Sequence, residues 1–132
     1  MNEIRMLRNQ ANLSQRELAL ASGLAEKTLS FIENDKVQPT LSHWYKLKRI
    51  CQYGVRSEEF KEYRFVGDRL YSLRAEAQLS QKELEEKLLL PATNVSAWET
   101  EKRIPPVKAL KKLCVFFGVK PDYFFEEISS KG

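Results

Sequence analysis

The chain has 132 residues, 42% of them hydrophobic and 30% charged, and a net charge of +4. That balance suits one or two small soluble domains and excludes a disordered chain. No apolar run approaches the ~20 residues of a membrane span, and the opening MNEIRMLRNQ lacks the apolar stretch of a secretory signal, so no membrane and a cytoplasmic setting are expected. Cys51 and Cys114 are too few for a disulfide framework and read as packing. His43 is the only histidine. With no Cys/His cluster, glycine-rich phosphate loop or nucleophile–base pair, no metal, cofactor or enzymatic activity is expected.

In chain order, Asn2 is placed to cap a helix that carries Ile4, Leu7, Arg8 and Ala11. Ser14 opens a second helix, and Glu17 three residues on completes a Ser-x-x-Glu capping box. Leu18 faces inward, and Gly23 suits a left-handed helix end. A third helix spans about residues 25–34, with Leu29 and Ile32 inward. Beyond Pro39, a fourth over 41–51 puts Leu41, Trp44, Leu47, Ile50 and Cys51 on one face. A short acidic helix at about 57–63 closes the plan.

The chain then repeats itself at an offset of 66. From Leu7 to Cys51, 15 of 45 positions are identical, among them Arg8/Arg74, Ser14/Ser80, Gln15/Gln81, Glu17/Glu83, Leu18/Leu84 and Glu33/Glu99. The second copy has a first helix over about 68–77, a second from Ser80, and a third from Pro91 or Ala92. The break is Ile104-Pro105-Pro106, and a fourth helix carries Val107, Leu110, Leu113, Phe116 and Phe117. KPDYFFEE mirrors RSEEFKEY as the closing turn. Phe60, Tyr63, Phe65, Tyr123, Phe124 and Phe125 read as core lids or dimer surface, with core favoured for most of them. The expected fold class is all-α, with two tandem five-helix domains over residues 1–64 and 65–132.

The order of residues is more specific than the helices. Both copies share Leu-Ser-Gln-x-Glu-Leu, then Ser-x-apolar-Glu, then Lys and Pro. The stretch LRNQANLSQRELALASGLAEKTLSFIENDKVQPTL resembles the helix-turn-helix domain of phage repressors and lambda Cro, the Xre-type family. LRAEAQLSQKELEEKLLLPATNVSAWETEKRIPPV resembles it again. The resemblance covers about residues 2–60 and 67–127. It implies two lambda-repressor-like units and a sequence-specific, repressor-like transcriptional regulator that binds double-stranded DNA, as a homodimer or a pseudo-dimeric monomer. An interaction regulator of the antitoxin or antirepressor type is the alternative.

By position, the resemblance sends Gln15, Arg16, Gln81 and Lys82 to the DNA backbone, where helix N-termini also favour phosphate. Base edges would meet Ala25, Glu26, Lys27 and Thr28 with Phe31 in the first unit. In the second they would meet Pro91, Ala92, Thr93 and Asn94 with Ala97. Asn34 and Lys36, and Lys102 and Arg103, would grip phosphate from the following loops. Glu33 and Glu99 fit an internal hydrogen bond or ion pair. The second copy departs from the pattern. Glu85 stands where Ala19 allows close packing, Leu89 replaces Gly23, and Thr100 replaces Asn34. A left-handed leucine costs ~1–2 kcal/mol, unless a different turn re-aims the third helix. The first unit is therefore expected to be the stronger DNA reader, and the second a weak reader or an interaction module.

Overall fold

The computed structural model of the chain describes residues 2–58 and 61–128. Glu59 and Phe60 of the expected closing segment lie outside them. The chain forms two compact units, the first running to Tyr63 and including Ile128, the second Arg64–Glu127.

Capping sets the helix starts of the first unit. Asn2 accepts from the N–H groups of Ile4 and Arg5 and opens α1 (Glu3–Gln10). The Ser14/Glu17 capping box opens α2 (Gln15–Ser22), which Gly23 ends at φ 79°. Next is α3 (Glu26–Glu33). Thr40 accepts from His43 N–H and opens α4 (Leu41–Tyr53). Leu18, Leu29, Leu47 and Ile50 are fully buried between these helices, with Trp44 beside them and its indole N–H donating to Glu3 at 2.9 Å. Burial, with Glu33 adding to it, pushes the Cys51 thiol up to about 11, which keeps it protonated.

The closing segment differs from expectation. Its helix, α5 (Val55–Glu58), comes earlier, and Tyr63 is extended in β1 (Tyr63–Phe65). The reason lies in Glu58, which is drawn inside rather than left on a solvated acidic face. It accepts from Arg49 at 3.1 and 3.0 Å and from the Tyr63 hydroxyl. Tyr63 in turn sets its ring edge-on to Tyr45 at 5.0 Å.

The second unit holds α6 (Gly67–Glu76), α7 (Gln81–Leu88), α8 (Asn94–Glu99) and α9 (Val107–Phe117). Its closing segment is not a fifth α-helix. It is a 3-10 turn, Pro121–Phe124, running into β2 (Phe125–Glu127). β2 pairs with β1 in a two-stranded sheet that the helical reading did not foresee. The aromatic residues explain it. Extended backbone turns Phe65 inward, where it stacks on Phe124 at 5.7 Å and meets Phe125 edge-on at 6.3 Å. Arg64 points out and binds Glu126 at 2.6 Å and Glu101 at 2.7 Å. Tyr63, Phe65, Phe124 and Phe125 are core, as expected of the lids, whereas Tyr123 is 38% exposed. The buried face of α9 is Ala109, Leu110, Leu113 and Cys114, and Phe116 is 40% exposed.

The duplication extends to backbone conformation. Asn12 and Gln78 are both left-handed, as are Asp35 and Glu101, and Gly23 and Leu89. Leu89 keeps the left-handed turn at φ 54°, so the second copy bears the strain instead of changing the geometry.

Gly67, at the first turn of α6, is needed for space. A Cβ there would lie 2.4 Å from the Glu99 carbonyl oxygen and 2.5 Å from that of Trp98. Backbone cannot yield as a flexible side chain can. Gly67→Ala should cost about 1–3 kcal/mol, seen as a lower second-unit midpoint in thermal unfolding followed by tryptophan fluorescence. An unchanged midpoint would contradict the close approach.

Candidate nucleic-acid interface

One hydrogen-bonded clamp holds α1, α2 and α3 together. Arg8 on α1 donates to both carboxylate oxygens of Glu33 on α3, at 2.7 and 2.9 Å. Its third donor reaches the Leu13 carbonyl in the turn before α2, at 2.9 Å. Gln15, in the first turn of α2, donates to the same carboxylate at 3.1 Å. The second unit repeats the set. Arg74 holds Glu99 at 2.7 and 3.0 Å and the Leu79 carbonyl at 2.8 Å, and Gln81 reaches Glu99 at 3.0 Å. A planar guanidinium bound at two oxygens fixes distance and angle together. The internal role expected of Glu33 and Glu99 is therefore this clamp. Burial alone would raise the Glu33 carboxyl. Hydrogen bonds from Arg8 and Gln15, with the charges of Arg8 and Arg5, outweigh it and hold the group below the usual carboxylate range.

The clamp changes the reading of Gln15 and Gln81. Each spends one amide hydrogen on the buried carboxylate of its own unit. Their second amide hydrogens and carbonyl oxygens are not used by that bond. Arg16 beside Gln15, and Lys82 beside Gln81, are exposed.

In the first unit Ala25, Glu26 and Lys27 are exposed at the start of α3, while Thr28 and Phe31 are half-buried. Ala25 provides no side-chain cap. The loop after α3 folds back, with Lys36 N–H donating to the Phe31 carbonyl at 2.9 Å. This leaves Lys27 5.7 Å and Lys36 6.0 Å from the Phe31 ring. Two ammonium groups thus flank one aromatic ring on an exposed surface. Asn34 is turned to other work. It accepts from Arg5 at 2.6 Å and donates to the Ser30 carbonyl at 2.9 Å, bracing the loop.

The second unit is built differently at the same place. The third helix does not start at Pro91 or Ala92. Ala92 lies in a turn, Thr93 is left-handed at φ 68°, and α8 begins only at Asn94. It is six residues long against eight for α3. Glu85 supplies the missing cap. Glu85, 7% exposed, accepts through its carboxylate from Val95 N–H at 3.0 Å. An anion there satisfies an orphan donor and sits favourably in the helix dipole. Glu85, expected to stand in the way of the close packing that Ala19 allows, is thus accommodated by this bond. Around it, Gln81, Lys82, Ala92, Thr93, Ala97, Lys102 and Arg103 line one recess. The fold therefore brings together seven expected contact residues of the second unit, all but Pro91 and Asn94. Thr100 donates back to the Ser96 carbonyl at 2.9 Å.

The sequence reading missed Arg5 as a loop brace and Glu85 as a cap. The only signal for the second is the acid gained at position 85, since both copies lack a capping side chain at the start of the third helix.

A family model described as helix-turn-helix matches residues 4–56 and again residues 70–124. The HTH-type transcriptional regulators PuuR of Escherichia coli (strain K12) and of Shigella flexneri are each 44% identical to the chain over 54 residues. That match covers 41% of this chain and 28% of each relative, so the chain spans less than a third of the curated relatives it matches. No solved structure matches the chain.

Two outcomes follow from the clamp and the cap. Because Glu33 is held low in the folded unit, it gains protons more readily when unfolded. Its stabilisation is present above the ordinary value of about 4.3 and is lost as pH falls through the folded value. Stability measured by denaturant titration should fall with acid in the parent chain and more gently in Glu33→Gln, which starts out less stable. Parallel pH profiles would contradict this. Glu85→Ala should destabilise the second unit by about 1–2 kcal/mol and raise amide exchange at Val95. Unaltered exchange there would remove Glu85 from the cap.

Proposed function

Because the chain belongs to the helix-turn-helix family, we propose that it is a sequence-specific, DNA-binding transcriptional regulator whose first unit is the principal reader. The relatives' designation as HTH-type transcriptional regulators and the net charge of +4 support the general reading. DNA is held through phosphates by cations and helix N-termini, and is read by side chains at the start of the third helix.

The asymmetry rests on Glu85. Its carboxylate already occupies the N-terminus of α8, so a phosphate or base acceptor approaching there meets an anion. The start of α3 has no side-chain cap and carries Lys27 and Lys36 nearby. In this reading Lys27 binds a guanine edge or phosphate, Thr28 and Glu26 contact neighbouring bases, and Ala25 and Phe31 make apolar contacts. Gln15, Arg16 and Lys36 hold the backbone, with Asn34 shaping the loop. The second unit contributes mostly backbone contacts from Gln81, Lys82, Lys102 and Arg103, with weaker base contacts from Ala92, Thr93, Asn94 and Ala97. One chain then acts as a pseudo-dimeric monomer of unequal halves, in the cytoplasm where the DNA is.

A duplex selected from a random library provides the test. Lys27→Ala with Thr28→Ala should weaken binding by at least about tenfold, or 1.4 kcal/mol. Thr93→Ala with Asn94→Ala should cost about threefold or less. Affinity of the parent chain should fall steeply and linearly on a log–log plot against salt. Equal losses from the two pairs would overturn the asymmetry, and no duplex binding at low salt would overturn the DNA reading itself.

A further inference from the structure

The two units differ in what covers one face of their second and fourth helices. In the first unit α5 packs across both α2 and α4. There Tyr45, Lys46 and Ile50 of α4 are buried, and Glu58 of α5 meets Arg49 of α4 at 3.0 Å. In the second unit no α-helix follows α9 among the described residues. The 3-10 turn that takes its place in the chain packs on α6 and α9 instead.

The corresponding face, between the end of α7 and the outer side of α9, is an open groove. Leu88, Leu89, Val115 and Phe116 form its apolar part, with Lys108 and Lys112 among four lysines that line it. No carboxylate lines it. Phe116, at the position of the fully buried Ile50 in the other copy, is 40% exposed, and Leu89 and Val115 are each 85% exposed. Leu89 also carries the left-handed strain that Gly23 avoids. Neither its strain nor its exposure benefits the fold. None of these residues lines the recess beside α8.

We propose that this groove binds a short amphipathic helix of a partner protein, one that carries carboxylates beside its apolar face. Two observations identify the occupant. The first unit fills the equivalent face with a short helix whose acid pairs with a basic residue of the fourth helix. The second unit lines the same face with lysines around leucine, valine and phenylalanine, which is complementary to leucines flanked by glutamates. The inference is independent of the DNA reading, since it uses a different surface.

The test uses the full chain and a synthetic amphipathic peptide of about 14 residues with leucines at helical spacing and glutamates elsewhere. Fluorescence anisotropy should show saturable, salt-sensitive binding, with amide shifts in NMR spectra centred on Leu89, Val115 and Phe116. Val115→Asp, Lys108→Glu and Leu89→Gly should each weaken it, the first by about tenfold or more. Leu89→Gly should at the same time raise the unfolding midpoint by a few degrees, so its loss of binding cannot be blamed on misfolding. Duplex affinity should be unaltered by all three. Equal binding of a scrambled peptide of the same composition would overturn the proposal. So would binding that survives Leu89→Gly and Val115→Asp. Groove shifts produced by a second copy of the chain, by duplex DNA, or by phosphatidylserine vesicles in place of the peptide would overturn it as well.

Discussion

The bidentate pairing of Arg8 with Glu33, and of Arg74 with Glu99, is the constraint on which each unit depends. It joins the first helix to the end of the third, and through Gln15 or Gln81 it reaches the start of the second. A carboxylate buried this deeply is tolerable only while its partners remain, and removing one strands a charge at a cost of about 3–5 kcal/mol. The angle between α2 and α3 is thus fixed by directional bonds as well as by Leu18, Leu29 and their counterparts in the core. Any surface formed by the starts of those helices inherits that rigidity.

Upon this shared frame the two copies have diverged at helix ends. The first leaves the start of α3 uncapped by side chains and places lysines around Phe31. The second shortens its third helix and lets Glu85 neutralise the N-terminus. It also leaves exposed a face that the first covers with α5. In the proposed reading, both differences move the second unit away from contact with polyanions at α8 and toward contact with protein along α7 and α9.

Much of the fold was legible because it is encoded locally. Ser14 with Glu17, and Ser80 with Glu83, announce helix starts within four residues. The inward positions Leu18, Leu29, Ile32 and Trp44 follow the helical period and are all buried, as are Leu84, Val95 and Trp98 at the matching positions of the second copy. The pairing of Arg8 with Glu33 was half legible. Both residues recur in the second copy, but nothing local says that a residue on α1 reaches one 25 positions later. The closing segments were misread because an acidic run looks solvated until a partner such as Arg49 draws it inside, and because helical and extended aromatic segments look alike when short.

The sequence by itself determined the duplicated helix-turn-helix plan, its caps and its core, since these depend on residue types at short, fixed spacings. It also located the candidate contact residues, because they share a helix start or a loop. Only the tertiary structure decided the direction of Gln15 and Gln81, the cap that Glu85 provides to α8, the strand pairing of β1 with β2, and the groove left open beside α9. Each of these depends on which distant group arrives to satisfy a donor, a charge or an apolar face, and a linear pattern does not specify that arrival.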